Sequence, residues 1–466
     1  MTTYSEQARQ WVHIGSGSFA LLLRVLTWWQ AAALAAFALA FNLLLLPRIG
    51  GRRLYRPVDE ARGFPLGILI YPLAVLLLIL IFPSRLDIVA AAWGILAFGD
   101  GAATLVGRAS RPTAEIAENA ETRFSARSAS SAVKRGHLPW NPDKTIAGTL
   151  AFVVFGGMAG VALAWWTRPA VAPPPPMAFT IVAPLVAAVA AAFAETVPVR
   201  LDDNITVPAT AGGVLWVACL MDAAAVSAAR DAVVAAAPWA IGVNVLAAWL
   251  GYRAHTVSRS GAVAGAVVGT IIYVGGGASA WALLFATFLA ASVTSRFGLK
   301  RKVLLGIAEE RGGRRGAGNA IANCGVAAVA AIAAIATRQT AASLLALVAA
   351  LTAGGSDTVA SEVGKVWGRS TLLVTTLRRV KPGTPGAMSL EGTAAGIVAA
   401  FGLAAAGAAL ALIPGSATLA VVVGATAGAL VESVLAATLE APGILNNDML
   451  NFINTAVAAA VALVIA

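Results

Sequence analysis

The chain has 466 residues, 59% of them hydrophobic and only 12% charged, where a soluble domain carries about 25% charged residues. This composition excludes a string of soluble domains and points to a polytopic membrane protein, because one bilayer span consumes about 20 mostly apolar residues. The formal charge of +11 suggests nucleic acid at first sight, but membrane proteins gather Lys and Arg in cytoplasmic loops, so no nucleic-acid partner is expected.

Apolar runs bounded by charge or by Pro and Gly clusters predict about 14 spans in chain order. They lie near 25–46, 64–82, 86–107, 145–166, 177–197, 204–221 and 232–252, then 261–277, 279–295, 317–336, 341–364, 389–413, 416–438 and 449–466. The first run is too long for a cleaved signal peptide, and no small-residue cleavage site follows it. The run Pro173–Pro176 reads as a stiff connector between spans. Cys219 and Cys324 both fall in apolar stretches and read as packing residues, not a disulfide framework. Numbering the loops alternately puts 27 of the 33 Lys and Arg on one side. The other side, with the N-terminal segment, holds Arg9, Arg24, Arg85, Arg168, Arg230 and Arg338. This asymmetry predicts cytoplasmic basic loops and both termini outside. The expected fold is therefore all-α, a polytopic transmembrane helix bundle with the lipid bilayer as its surroundings.

Ionisable groups within or beside spans cost about 2.5–3.5 kcal/mol on insertion scales and call for a reason. Asp100 stands in FGDGAATLVGR, and Glu195 in FAETVPVRLDDNITVP just before Asp202, Asp203 and Asn204. The next helix start reads LPWNPDKTIAGTLA, with Lys144 and Thr145. Carboxylate oxygens of this kind suit Mg²⁺, which binds one or two carboxylates together with substrate phosphates. Arg108, Lys134, Arg135 and Lys144 are placed to hold phosphate oxygens.

The second half echoes this arrangement. Asp357, Ser361 and Gly364 repeat the spacing of Asp100, Thr104 and Gly107, which puts each trio on one helix face. Arg108 then corresponds to Lys365. Lys144-Thr145 with Gly148 is echoed by Met388-Ser389 with Gly392, Glu195 by Glu432, and Asp202-Asp203-Asn204 by Asn446-Asn447-Asp448. Preserved order predicts a parallel internal repeat of four-span units, spans three to six matching spans eleven to fourteen. The expected metal ligands are Asp100, Glu195 and Asp202 in one copy and Asp357, Glu432 and Asp448 in the other. Asn447, Asn451 and Asn454 form an amide stripe, and Lys381 sits in a turn-rich loop suited to a phosphate.

Several chemistries are excluded. No GxxxxGK[ST] loop is present, since Gly364-Lys365 is followed by Val366. His13, His137 and His255 are far apart and lack metal-ligand spacing, and no Ser/His/Asp constellation is visible.

The segments GDGAATLVGR, LPWNPDKTIAGTLA and ETVPVRLDDNITVP resemble the phytol kinase and dolichol kinase group of CTP-dependent polyprenol kinases. In the second half, SRSGAVAGAVVGT, GGSDTVASEVGK, KPGTPGAMSLEGTAAG, VESVLAATLE and NNDMLNFINT resemble the membrane family that includes phytyl-phosphate kinase of tocopherol and phylloquinone synthesis. The resemblance implies a fusion, residues 1–231 phosphorylating phytol with CTP or another nucleoside triphosphate, and 232–466 converting the prenyl monophosphate to the diphosphate. It implies catalytic roles for Asp100, Asp203, Asp357 and Glu432. It also implies substrate or nucleotide contacts from Arg108, Lys144, Thr145, Asn204, Lys365, Lys381, Ser389, Asn447 and Asn451. Such an enzyme is expected in a bacterial inner membrane with its sites on the cytoplasmic face. A cytidylyltransferase forming a CDP-lipid and a transporter built on parallel repeats are the competing readings.

Overall fold

The computed structural model describes residues 6–46, 48, 66–110, 136–138, 141–196, 202–298, 302, 314–440 and 445–466. The chain forms two compact units, Met1–Cys219 and Leu220–Ala466. The boundary expected at 231/232 falls inside a long helix, Ala223–Arg253, that belongs to the second unit.

In the first unit, α1 (Glu6–Ser16) continues as a 3₁₀ segment, Gly17–Arg24. Helix α2 (Trp28–Leu44) and α3 (Leu66–Ile81) follow. Next come α4 (Leu86–Ala109), strands β1 (His137–Leu138) and β2 (Asn141–Thr145), α5 (Ile146–Ala170), α6 (Met177–Thr196) and α7 (Asp203–Leu220). The strands pair antiparallel, His137 opposite Thr145 and Leu138 opposite Asn141. Buried alanines of α4, α6 and α7 pack around Phe152, Ile95 and Leu96. Small residues of this kind let membrane helices approach closely.

The N-terminal segment packs against this bundle. At one end of α1, a Cβ on Gly101 would stand 2.4 Å from Ile14 Cγ1, and His13 reaches Asp100. Further along, in the 3₁₀ segment, Leu21 O accepts from Trp166 Nε1 at 2.9 Å and the Arg24 guanidinium lies 4.2 Å from the centre of the Trp166 ring. Eleven α-helical and eight 3₁₀ residues cover about 32 Å, a full hydrocarbon thickness. The segment therefore runs along the bundle from Asp100, beside His13, to Trp166, beside Arg24.

The second unit contains α8 (Ala223–Arg253), α9 (Arg259–Arg296), α10 (Ala317–Ala336) and α11 (Thr340–Trp367). Strands β3 (Thr371–Leu373) and β4 (Ala387–Ser389) pair antiparallel before α12 (Leu390–Ala409), α13 (Gly415–Glu440) and α14 (Asn447–Ile465). A straight helix of 38 residues would separate Arg259 from Arg296 by about 55 Å. Yet Arg259 Nε donates to Tyr252 Oη at 3.3 Å, and Arg296 Nη2 donates to Ala254 O at 3.4 Å. The two ends of α9 thus meet at the end of α8. The helix folds back at Gly277, whose φ of 74° and ψ of −176° only glycine adopts readily. Its arms match the runs near 261–277 and 279–295.

Among the described residues, ten helices are long and apolar enough to cross a membrane, and two shorter apolar helices accompany them. Outward-facing residues such as Trp239, Val245 and Trp249 are exposed, as suits a lipid-facing surface. The protein is a polytopic helical membrane protein.

Candidate functional site

In the first unit, three helices and β2 converge on one cluster. Asp100, Glu195 and Asp203 each offer a carboxylate oxygen, and the three lie within 4.8 Å of one another. Asp100 is positioned by a π-helical segment, Ile95–Asp100, that packs on a second one, Phe152–Gly156; a Cβ on Gly156 would stand 3.2 Å from Gly99 Cα. π-Helical turns of this type recur at functional sites. Lys144, the residue before the last of β2, donates to Glu195 Oε1 at 2.6 Å and to Asp203 Oδ2 at 3.2 Å. Burial pushes the Lys144 ammonium down, but the charges of Glu195 and Asp203 outweigh it and hold its pKa above the ordinary lysine value. His13 Nε2 lies 3.5 Å from Asp100 Oδ2.

Carboxylates this close repel unless cations sit among them. Lys144 supplies one positive charge on its side of the cluster. A hard divalent cation such as Mg²⁺ fits the all-oxygen donor set, and Asp100, Glu195 and Asp203 would hold it. Bound there, it would neutralise phosphate oxygens.

The second unit builds a related cluster from α11, α13 and α14. Asn454 Nδ2 donates to Glu432 Oε2 at 2.8 Å, while Asn454 Oδ1 is buried without a partner. Asp357 acts electrostatically on Glu432. Asp448 approaches α10, since a Cβ on Gly318 would stand 2.1 Å from Asp448 Oδ2. Glu362 is buried between two lysines: Lys302 donates to Glu362 Oε2, and Lys365 donates to Oε1 at 2.7 Å.

The framework around both clusters is the same. Thr145 Oγ1 accepts from the Gly148 amide at 3.1 Å, and Ser389 Oγ accepts from the Gly392 amide at 3.1 Å, so each hydroxyl caps the helix it opens. A Cβ on Gly148 would meet Ala103 O at 2.9 Å and Gly107 Cα at 3.3 Å. On Gly392 it would meet Ala360 O at 2.6 Å and Gly364 Cα at 3.1 Å. Both close crossings bring a capped helix start one to two turns from the aspartate, Asp100 or Asp357.

Several expected site residues sit differently. Asp202 is a helix-start residue: its Oδ1 accepts from the Asn204 amide at 3.0 Å and from Asn204 Nδ2 at 2.6 Å. Asp203 takes the place in the cluster assigned to Asp202, because the side chain before a helix turns back to its own free amides. Thr145 and Ser389 spend their oxygens on caps, and Lys365 is joined to Glu362. Arg108 is exposed in the last turn of α4, and Lys381 is exposed between β3 and β4. Asn447 is exposed at the start of α14, and its carbonyl accepts from Asn451 Nδ2 at 2.8 Å. Lys134 and Arg135 lie outside the described residues. Sequence reasoning missed His13, Lys302 and Glu362; their partners are 87 and 60 positions away, and no local motif marks them.

A family profile described as "Integral membrane protein DUF92" matches residues 242–459. An uncharacterized membrane protein of Synechocystis is 39% identical over 200 residues, 42% of this chain and 78% of that protein. Protein VTE6, chloroplastic, of Arabidopsis thaliana is 33% identical over 214 residues, 44% of this chain and 64% of that protein. An uncharacterized membrane protein of Methanocaldococcus jannaschii is 30% identical over 205 residues, 44% of this chain and 84% of that protein. No solved structure matches. Through residues 242–459, the chain belongs to the DUF92 family of integral membrane proteins.

Proposed function

We propose that this protein is a membrane-embedded isoprenoid kinase with two sites. The first unit phosphorylates a prenyl alcohol such as phytol, and the second adds another phosphoryl group to the resulting monophosphate, with CTP as donor and Mg²⁺ bound at the carboxylates. The observation that carries this reading is the convergence of Asp100, Glu195 and Asp203 with Lys144, together with the parallel framework around Asp357 and Glu432 in the second unit. Phosphoryl transfer asks mainly for positioning and charge stabilisation, and both clusters are built for that. The resemblance of the two halves to polyprenol kinases and to the phytyl-phosphate kinase family supports the assignment, as does an origin of the two frameworks by duplication.

The clusters differ as the two reactions differ. An alcohol oxygen attacking the terminal phosphoryl group must lose its proton, and Asp203, half-exposed beside Lys144, is the base. Lys144 draws Glu195 and Asp203 together. A phosphate monoester is already anionic and needs no base; the position matching Asp203 is Asn447, and Glu432 is held by the neutral amide of Asn454. The test is incubation of the purified chain with labelled CTP and phytol. CDP with prenyl mono- and diphosphate is the expected outcome, whereas pyrophosphate with a CDP-lipid overturns the kinase reading in favour of a cytidylyltransferase. Substrate flux into liposomes without nucleotide overturns it in favour of a transporter.

A further inference from the structure

The second unit contains a cavity enclosing about 1020 Å³ of unfilled space, its open mouth included, between α8, the two arms of α9, and α10. The fold-back of α9 explains why it exists. Small residues line it, Gly265 on the first arm and Ala291 on the second, and a Cβ on Gly265 would meet nothing within 4 Å. Its mouth lies where both ends of α9 meet α8 and is lined by Arg315 and by Gly316 and Asn319 at the start of α10. Its deep end is apolar and closed by Trp281, 15 residues from the end of α9 at Arg296, or about 22 Å along the helix.

Trp281 is fixed there. Its Nε1 donates to Asn244 Oδ1 at 3.0 Å, and its ring stacks on Phe285 at 5.3 Å with planes 8° apart. Asn244 is itself buried and gives its Nδ2 to Ala240 O at 2.8 Å. A polar side chain buried in the bilayer region to brace one indole makes a rigid wall. The cavity also reaches to within one helical turn of Asp357 along α11. Asn323 and Gly354 both line it, a Cβ on Gly354 would stand 2.9 Å from Asn323 Oδ1, and Gly354 precedes Asp357 by one helical turn. An apolar tube with a basic, amide-lined mouth beside a carboxylate pair matches a long hydrocarbon chain that ends in a phosphate.

We propose that this cavity binds the isoprenoid chain of the phosphorylated lipid on which the second unit acts, and that Trp281, braced by Asn244, sets the chain length accepted. The assignment rests on the kinase reading of that unit. Arg315 and Asn319 hold the anionic head at the mouth, and the chain runs down to the indole.

Two measurements test it on the full chain in detergent. The first is turnover of geranyl, farnesyl, geranylgeranyl and phytyl monophosphates. Trp281→Ala should shift the preference in kcat/KM toward the longer chains by about tenfold. Gly265→Leu should raise KM for the longest substrates by about tenfold with kcat little changed; a Cβ at Gly265 meets nothing within 4 Å, so this variant keeps the proposal testable should Trp281→Ala fail to fold. An unchanged chain-length profile in an active Gly265→Leu variant overturns the proposal while leaving the kinase reading intact. The second measurement is photolabelling with a benzophenone-bearing geranyl phosphate, which needs no turnover. Label on α9 that is competed by phytyl phosphate supports the cavity even where the chain proves inactive as a kinase. Label confined to other segments overturns it.

Discussion

Lys144 Nζ lies 2.6 Å from Glu195 Oε1 across a sequence separation of 51 residues, and the same ammonium reaches Asp203 Oδ2 at 3.2 Å. Three elements, β2, α6 and α7, are joined by this one cation. It offsets the repulsion among Glu195, Asp203 and Asp100, whose carboxylate oxygens lie within 4.8 Å of one another. Lys144→Met should therefore cut phosphorylation of the free alcohol by about a hundredfold or more and leave turnover of added prenyl monophosphate unchanged. Both rates are read from one membrane preparation.

The Lys144 ammonium has a pKa above its ordinary value because Glu195 and Asp203 outweigh its burial. A cation raised in the folded state stabilises fully below its unfolded pKa, and that contribution is lost only as pH rises through the higher folded value. The stability difference between the native chain and Lys144→Met should thus not fall between pH 7 and about 10 and should shrink only beyond it. Thermal unfolding in detergent across this range checks it; a difference that already falls between pH 7 and 9 contradicts the pairing.

Asn454 donates to Glu432 at 2.8 Å, and Gly428 leaves room for it, since a Cβ there would stand 2.3 Å from Asn454 Oδ1. Asn454→Leu strips a buried carboxylate of its donor and should cost about 1–3 kcal/mol. The second phosphorylation should fall while the first is retained, which the ratio of mono- to diphosphate product measures.

Lys302 and Glu362 are each only 2% exposed, and Lys365 completes the group. Removing Glu362 leaves a buried, unpaired Lys302, so Glu362→Ala should lower stability by about 3–5 kcal/mol. The double variant Lys302→Met with Glu362→Met should recover most of that loss. Unfolding midpoints of the single and double variants decide the point.

Gly277 carries the fold-back of α9 at φ 74°. Gly277→Ala should cost about 1–3 kcal/mol by forcing a side chain into a region that only glycine occupies easily. Gly242, with nothing within 4 Å of its would-be Cβ, is the control: Gly242→Ala should be neutral or stabilising, as judged by the unfolding midpoint.

Much of this architecture is legible in the sequence because the bilayer imposes it. Apolar runs of span length mark the helices, and Asp100, Glu195, Asp357 and Glu432 stand out because carboxylates there demand a partner. The arms of α9 are legible for the same reason, as the Gly275-Gly276-Gly277 run interrupts an apolar stretch too long for one span. What escaped has physical causes. The helical segment of residues 6–24 mixes polar and apolar residues and carries no run of span length. The exchange of Asp202 for Asp203 depends on which side chain turns back to cap α7, a matter of one residue in helix phase. The contacts His13–Asp100 and Lys302–Glu362 join positions brought together only by packing.

Product analysis with γ-labelled CTP shows whether two separate sites act in succession. Purified native chain, Asp100→Asn and Asp357→Asn are each given phytol or phytyl monophosphate. The native chain should convert both to the diphosphate. Asp357→Asn should stop at the monophosphate, and Asp100→Asn should ignore the alcohol yet phosphorylate added monophosphate at the native rate. Equal loss of both steps in either variant, or no transfer of label by the native chain, contradicts the account.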